Sequence, residues 1–204
     1  MIQLARTIDA TIIRPATPAD LPDVDAMRSL DANCLGFFPL MKYECIVHKV
    51  PDHANRETWR RESLWVATDN GDITGFVLAG FHRDGTKIEQ ICVRRDARRM
   101  ERALLLEGVV DTEAKRRQSA RIKCRVAADI EANLFWVAAG YTPVAVQAST
   151  YRNLRPSQNK RALVIYHKTL AQGFFGFSTE AIQDGEWRSK ATTSIEGASS
   201  VQRT

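Results

Sequence analysis

The feature that most restricts the fold is a series of apolar runs divided by short turn sequences. Leu64–Thr68 and Ile73–Phe81 have the composition of buried strands, and the four residues Asp69–Asp72 between them are all turn formers. A second turn, Arg83–Gly85, precedes a third apolar run, Lys87–Val93. Short loops of this kind join antiparallel neighbours. The sequence therefore predicts a meander of three antiparallel strands.

Periodic segments on both sides of this meander extend the predicted fold. Before it, we expect a strand, a helix with Thr17 as its N-cap, and a loop followed by a second helix. After it, the period changes to that of a long helix, which is followed by a strand, a short helix capped by Asp129 and two more strands. The segments are 10–16, 18–30 and 33–50 before the meander, and 98–118, 121–126, 129–139, 144–151 and 162–170 after it.

This order predicts one mixed α/β domain over residues 1–170, with a mostly antiparallel central sheet and helices on both faces. Residues 171–204 are polar and without periodicity, so we expect a disordered tail. In the short helix, Ala132, Phe135, Trp136 and Ala139 are spaced to face inward.

Several classes of protein are disfavoured by what the sequence lacks. No apolar run reaches the length of about 18 residues needed to cross a membrane, and the first ten residues do not resemble a secretory signal. We therefore expect a cytoplasmic protein that does not bind membranes. The four cysteines and four histidines show no metal-binding spacing, so we expect buried free thiols, ordinary histidines and no metal.

The net charge of +5 is concentrated in one segment. Residues 94–125 contain 11 Lys and Arg against 5 Asp and Glu. Such a patch suits a phosphate-bearing cofactor, a nucleic acid or solubility alone, and composition does not choose among them. A nucleic-acid surface is the least favoured, because no aromatic residues alternate with the arginines as a stacking platform requires.

Three segments together resemble the GNAT superfamily of acyl-CoA-dependent N-acetyltransferases. Thr11–Leu30 is similar to the family's opening strand and helix, and Gln90–Leu106 to its fourth strand, pyrophosphate loop and following helix. Within the second segment, Arg98–Ala103 occupies the family pattern Q/R-x-x-G-x-G/A, although Glu101 stands at the first glycine. Asp129–Tyr141 is similar to the family pattern N-x-x-A-x-x-F-Y-x-x-x-G-F, with Trp136 at the tyrosine that often serves as the acid.

The resemblance implies acetyl-CoA, or another acyl-CoA, as co-substrate. Backbone groups of the fourth strand would hold the thioester and pantetheine, and the loop and helix start would hold the diphosphate through backbone amides, aided by the side chains of Arg98, Arg99 and Arg102. The cofactor-binding residues implied in this way are Ile91, Cys92, Val93, Arg98, Arg99, Met100, Glu101, Arg102, Ala103, Asp129, Ala132 and Phe135.

For catalysis the resemblance implies a base on the fourth strand, and Glu89 lies there. The alternative for Glu89 is an exposed strand carboxylate paired with Lys87 or an arginine. Trp136 cannot serve as an acid, so the candidates are Tyr141, Tyr151 and Tyr166, with Cys92 a remote one and direct protonation by solvent as the alternative. The expected reaction is transfer of an acetyl or other acyl group to a primary amine. The competing hypothesis is a GNAT-like binding or regulatory protein without catalysis, since Glu101 and Trp136 both depart from the family pattern. An apolar cluster at residues 35–39 is equally consistent with a substrate pocket and a homodimer contact.

Overall fold

The computed structural model of the protein describes residues 11–36, 38–51, 58–98, 101–149 and 161–170, without the side chains of Asn33 and Thr58. Seven strands form one sheet in the order β1-β2-β3-β4-β5-β7-β6. Among them only β4 and β5 run parallel. The mixed, mostly antiparallel sheet expected from the sequence is confirmed. The strands are β1 (Ile12–Pro15), β2 (Glu62–Asp69), β3 (Asp72–His82), β4 (Gly85–Val93), β5 (Arg121–Ala127), β6 (Thr142–Ala148) and β7 (Ala162–Thr169).

Helices cover both faces of this sheet, as predicted. Short 3-10 turns also precede α1 and α5, at Pro18–Asp20 and Arg95–Ala97. The helices are α1 (Leu21–Leu30), α2 (Ala32–Leu35), α3 (Leu40–His48), α4 (Thr58–Arg61), α5 (Arg102–Arg116) and α6 (Ala132–Ala138). None of the described helices combines the length and the apolar content that a membrane crossing demands.

The predicted hairpin forms where the turn residues stand. Asp69 pairs with Asp72, and the two residues between them, Asn70 and Gly71, have φ angles of 52° and 90°. Positive φ at both central positions gives the turn the twist that adjacent antiparallel strands require, and Asn-Gly tolerates it better than other pairs. The meander of β2, β3 and β4 follows directly.

Two hydrophobic cores lie on opposite faces of the sheet. On one face, residues of α1 and α3, including Val24 and Tyr43, pack against Phe76 and Leu78 of β3. On the other face, residues of α5 and α6 pack against β3, β5 and β7, with Leu106, Val110 and Trp136 among the buried side chains. The alternation of side chains along β3 fills both cores.

Four predictions about local structure were wrong. Helix α6 begins at Ala132, with Glu131 rather than Asp129 as its N-cap, because the Asp129 carboxylate accepts a hydrogen bond from Arg161. Ala132 is exposed rather than inward-facing. A short helix, α2, occupies part of the segment expected to be a loop, and Cys34 within it is exposed, whereas the other three thiols are buried as predicted. The tail at residues 171–204 lies outside the described residues.

Candidate active site

The site begins where the parallel strands β4 and β5 separate. Only Thr86 with Ile122 and Lys87 with Lys123 are paired across these strands. Beyond Lys87, the edge of β4 that faces β5 has no strand partner among the described residues. Backbone N–H and C=O groups of such an edge are available to another chain or to a ligand. The gap therefore opens along Ile88–Val93.

A β-bulge in β4 places Glu89 at the start of this gap. Leu78 of β3 pairs with Gln90 and Ala79 pairs with Ile88, so Glu89 is the extra residue. Ile88 belongs to the core under α5, whereas Cys92 belongs to the core under α1 and α3. The bulge thus shifts the alternation of side chains by one residue, which explains why simple period-two counting leaves the direction of Glu89 unresolved.

Glu89 lies within a cluster of charged side chains, of which the sequence analysis considered Lys87 but missed Glu62 and Lys42. Lys87 donates to Glu89 Oε2 at 2.6 Å, and the Glu89 side chain is only 10% exposed. A second carboxylate, Glu62 of β2, lies on the same face of the sheet and pairs with Lys42 of α3, whose Nζ is 2.8 Å from Oε1. The one sequence feature that points to Glu62 as buried is its position, two residues before Leu64, on the apolar face of its strand.

Glu62 is the more confined of the two carboxylates. Its Oε2 atom is buried and has no hydrogen-bond partner among the described residues. Burial raises the pKa of Glu62, while the Lys42 ammonium opposes that rise and Glu89 adds to it. The two carboxylates and two lysines form a charged cluster contributed by β2, β4 and α3, on the side of the sheet opposite α5.

Gln90 fixes the helices on this side to the bulged strand. Its side-chain amide donates to the carbonyl oxygens of Leu35 and Gly36 at 3.1 and 3.0 Å, and its Oε1 accepts the hydroxyl of Tyr43. Gln90 is 3% exposed and Tyr43 is fully buried, and burial raises the pKa of the tyrosine. The segment that ends α2 is therefore anchored next to the gap.

At the far end of β4, the chain turns into helix α5. Arg94 donates its backbone N–H to Thr74 at 2.8 Å, and the first helical bond of α5 runs from Leu105 to the Glu101 carbonyl at 3.0 Å. The amides of Arg102, Ala103 and Leu104 precede that bond and point out of the helix end. A helix start with free amides is a site for phosphate.

Glu101 adopts the conformation that the family pattern reserves for glycine. It is the N-cap of α5, with φ of 61° and ψ of −2°, in the left-handed region. This region costs a residue with a Cβ roughly 1–2 kcal/mol. The Glu101 side chain is exposed. The backbone therefore forms the expected turn, although a glutamate side chain stands where glycine has only a hydrogen atom.

The described arginines of the loop make contacts within the protein. Arg102 pairs with Asp69 and also donates to the Ala97 carbonyl at 3.2 Å, with both members of the ion pair mostly buried. Arg98 donates to the Val93 carbonyl at 3.0 Å and to Asp31, but its side chain is 48% exposed. A phosphate contact by the Arg102 guanidinium would compete with its ion pair to Asp69, and it stays a prediction. Arg99 and Met100 lie outside the described residues.

The fourth-strand residues Ile91, Cys92 and Val93 line the gap through their backbone. Ile91 and Val93 are partly buried against the core under α5. Cys92 points to the opposite face, where its thiol donates to Asp31 at 3.8 Å. Burial, with the nearby Asp31 carboxylate, raises the pKa of this thiol to about 12. None of these side chains supplies a reactive group, in keeping with a role for the main chain.

Helix α6 packs against β5 and β6. Ala132 is exposed at its first turn, and Phe135 is half-buried with its ring 5.1 Å from that of Trp136. Trp136 is 4% exposed, so it is a core residue as expected. The sequence analysis also missed the role of Asn133 in α6. Its side chain donates to the Ala127 carbonyl at 2.8 Å and accepts a hydrogen bond from the Tyr166 hydroxyl at 3.0 Å.

The hydroxyl of Tyr141 is buried in the core. It donates to Glu107 Oε1 at 3.0 Å, and the same oxygen accepts Lys168 at 2.9 Å. Burial, together with the Glu107 carboxylate, raises the pKa of Tyr141 strongly. This environment resembles that of a structural tyrosine more than that of a proton donor to a ligand. Another candidate acid, Tyr151, lies outside the described residues.

Comparisons with known proteins agree with this geometry. The family model described as "Acetyltransferase (GNAT) domain" matches residues 38–155. A search of curated protein sequences finds no significant match. Among the described residues, no group of three or more His, Cys, Asp or Glu is arranged to hold a metal ion.

Solved structures with the same fold include several N-acetyltransferases. The ribosomal-protein-alanine N-acetyltransferase of Brucella melitensis has 19% identity and a TM-score of 0.62, covering 78% of this chain and 99% of its own. Naa20 of Chaetomium thermophilum, solved with a bisubstrate analogue, has 20% identity and a TM-score of 0.62, with coverage of 79% and 87%. An acetyltransferase from Bacillus anthracis in complex with acetyl coenzyme A has 16% identity and a TM-score of 0.50, with coverage of 54% and 63%. The chain belongs to the GNAT acetyltransferase family, as its sequence motifs predicted.

Proposed function

We propose that this protein transfers an acetyl group from acetyl-CoA to a primary amine. The observation that carries the proposal is the gap between β4 and β5, which has Glu89 at one end and the start of α5 at the other. A thioester held along β4 would lie between a carboxylate and a set of free amides. This arrangement of base and backbone donors suits acyl transfer.

The residues that remain available fit the co-substrate. Amides of Arg102, Ala103 and Leu104 would hold the diphosphate, with the half-exposed Arg98 side chain nearby. Backbone groups of Ile91 and Val93 would hold pantetheine. Ala132 and Phe135 of α6, with Asp129 just before that helix, would lie beside it. Acetyl-CoA, when bound, supplies the activated acetyl group. Glu101 is the residue that fits this site least well, because its carboxylate lies near the proposed diphosphate position and would repel the diphosphate.

Glu89 is the proposed base. Its Oε2 atom is occupied by Lys87, which leaves Oε1 to accept a proton from the ammonium of the acceptor, directly or through a water molecule. Lys87 holds the carboxylate in place at the bulge. The neutral amine formed in this way is the nucleophile.

For the leaving thiolate we propose protonation by solvent. The Tyr141 hydroxyl is committed to Glu107, and Trp136 has no proton to give at neutral pH. The competing hypothesis, a binding protein without catalysis, is favoured by Glu101 and Trp136, both of which depart from the family pattern. Activity separates the two hypotheses, because either protein is able to bind acetyl-CoA.

The test is a transfer assay with acetyl-CoA and a panel of amines, monitored by release of the free thiol and by mass spectrometry of the acceptor. Peptides with a free N-terminus belong in the panel, since the structural relative from Brucella melitensis is named as a ribosomal-protein-alanine N-acetyltransferase. Small amines form its second half. Thiol release that depends on the amine supports the enzyme. Acetyl-CoA binding without turnover on any amine supports the binding protein.

A further inference from the structure

A cavity of about 390 Å³ lies at the side of the gap away from α5. Its position follows from strand alternation: Ile122, Cys124 and Val126 of β5 pack into the core with α5, so their neighbours point to the opposite face. The described helices on that face pack over β2, β3 and β4. The residues that line the cavity are Lys87, Arg121, Lys123, Cys124, Arg125, Gln147, Ile165 and His167.

The lining carries a strong excess of positive charge. It contains four Lys and Arg residues and one histidine, but no Asp or Glu. Lys87 is paired with Glu89 and Lys123 with Asp84, whereas Arg121 and Arg125 are exposed and have no carboxylate partner among the described residues. Burial and the positive charges of Arg121 and Lys123 lower the pKa of His167. The cavity is therefore a region of positive potential.

This charge is too far from the start of α5 to serve the diphosphate. Val93 is six positions beyond Lys87 along the extended strand, a span of roughly 20 Å at 3.3 Å per residue. The cavity instead adjoins the proposed base, because Lys87 both lines it and donates to Glu89 at 2.6 Å. A molecule that presents an amine to Glu89 would place its neighbouring groups here.

We propose that the cavity binds an anionic group of the amine acceptor, so that the preferred acceptor carries a carboxylate a few bonds from its amine. This inference rests on the proposed function, since it assumes that the amine lies at Glu89. Arg125 and Arg121 bind the carboxylate, while Lys87 remains with Glu89. A volume of 390 Å³ is large enough for a group of amino-acid size.

Binding tests the inference without requiring turnover. Two matched pairs of probes are titrated into the protein in the presence of CoA at low salt. One pair is the peptide amides Ala-Asp-Ala and Ala-Asn-Ala, and the other is 4-aminobutyrate and 4-aminobutanamide. We expect the acidic member of at least one pair to bind about tenfold more tightly than its neutral partner. The pair that shows the difference tells whether the carboxylate belongs to a peptide or to a small amine.

Arg125→Gln and Arg116→Gln complete the design. Both remove one positive charge, but Arg116 lies on α5, on the other face of the sheet, and is 67% exposed. The preference for the acidic probe should fall about tenfold in Arg125→Gln and stay unchanged in Arg116→Gln. The inference is overturned if neither acidic probe binds better than its neutral partner, or if Arg125→Gln behaves as wild type.

Turnover of the same probes separates this inference from the proposed function. Acetylation of acidic and neutral amines at equal kcat/KM would overturn the acidic preference and leave the acetyltransferase intact. Binding of the acidic probe through Arg125 without acetylation of any amine would support the cavity and contradict the proposed function.

Discussion

Lys87 Nζ lies 2.6 Å from Oε2 of Glu89, and the two residues stand at the point where β4 parts from β5. The ion pair is short, and both side chains are largely buried, at 19% and 10% exposure. It therefore holds Oε2 of the carboxylate, and the proposed base is the other oxygen, Oε1. The proposal that Glu89 is the base depends on this orientation.

Glu89→Gln tests the base directly. The amide keeps the size of the side chain but cannot accept a proton, so we expect kcat/KM to fall by about 100- to 1000-fold. Acetyl-CoA affinity, measured by calorimetry, should remain as in wild type. Glu113→Gln, a carboxylate on α5 that pairs with Arg116 and Arg117, is the control and should leave kcat/KM unchanged. A fall of less than threefold in Glu89→Gln would remove Glu89 from the mechanism.

Glu101→Gly is expected to stabilise the protein and to improve cofactor binding. Glycine tolerates the φ of 61° at this N-cap, so the free energy of unfolding should rise by roughly 1 kcal/mol, and removal of the carboxylate should strengthen acetyl-CoA binding. Glu101→Ala separates the two effects, because it removes the charge and keeps the strain. Urea unfolding and calorimetry measure them. Equal stability of the glycine and alanine variants would argue against the strain.

Tyr141→Phe should behave as a change in the core. The variant loses the 3.0 Å hydrogen bond to Glu107, which keeps its contact with Lys168, so the free energy of unfolding should fall by about 1 kcal/mol. With a suitable acceptor, kcat should stay within about twofold of wild type. A tenfold loss of kcat at unchanged stability would instead identify Tyr141 as the acid.

Asp20 provides a pH-dependent contribution to stability. Hydrogen bonds from Arg14, with further bonds from Thr17, lower the pKa of this carboxyl from 3.8 to about 2. A lowered pKa in the folded state means that the stabilisation is complete above the unfolded pKa and disappears as the pH falls through the folded one. At pH 7 it amounts to about 2 kcal/mol, and it should be lost between about pH 4 and pH 2.

The matching variant is Asp20→Asn. It should be about 2 kcal/mol less stable than wild type at neutral pH, and the difference should close as the pH falls to about 2. Asp23→Asn, an exposed carboxylate in the first turn of α1, should lose only a few tenths of a kcal/mol. Denaturant unfolding at several pH values gives both numbers. A difference independent of pH would show that the effect is steric rather than ionic.

The fold was predictable because its signals are local. Turn residues at Asp69–Asp72, alternation in β5 and the helical period of α5 each specify an element without reference to the rest of the chain. The family motifs then located the fourth strand and the following helix. These signals are sufficient for the order of the elements and for the type of sheet.

The details of the site depend on contacts between distant residues, which period and motif do not encode. The bulge at Glu89 reverses the expected alternation, and the Lys42–Glu62 pair joins a helix to a strand. Asp129 was predicted to cap a helix, but Arg161, 32 residues away, holds its carboxylate. Arg102 of α5 pairs with Asp69 at the β2–β3 turn, a contact that no local pattern around either residue predicts.

The most direct test of the account is calorimetric titration of acetyl-CoA into wild type and Ala103→Glu. A glutamate in the first turn favours the helix dipole but repels a diphosphate at the free amides, so folding should be retained while binding is lost. Thr112→Glu adds the same charge nine residues along α5, about 13 Å away, and is the control. The account predicts micromolar binding by wild type and Thr112→Glu, and none by Ala103→Glu. No binding by wild type, or equal binding by all three, would contradict a cofactor site at the start of α5.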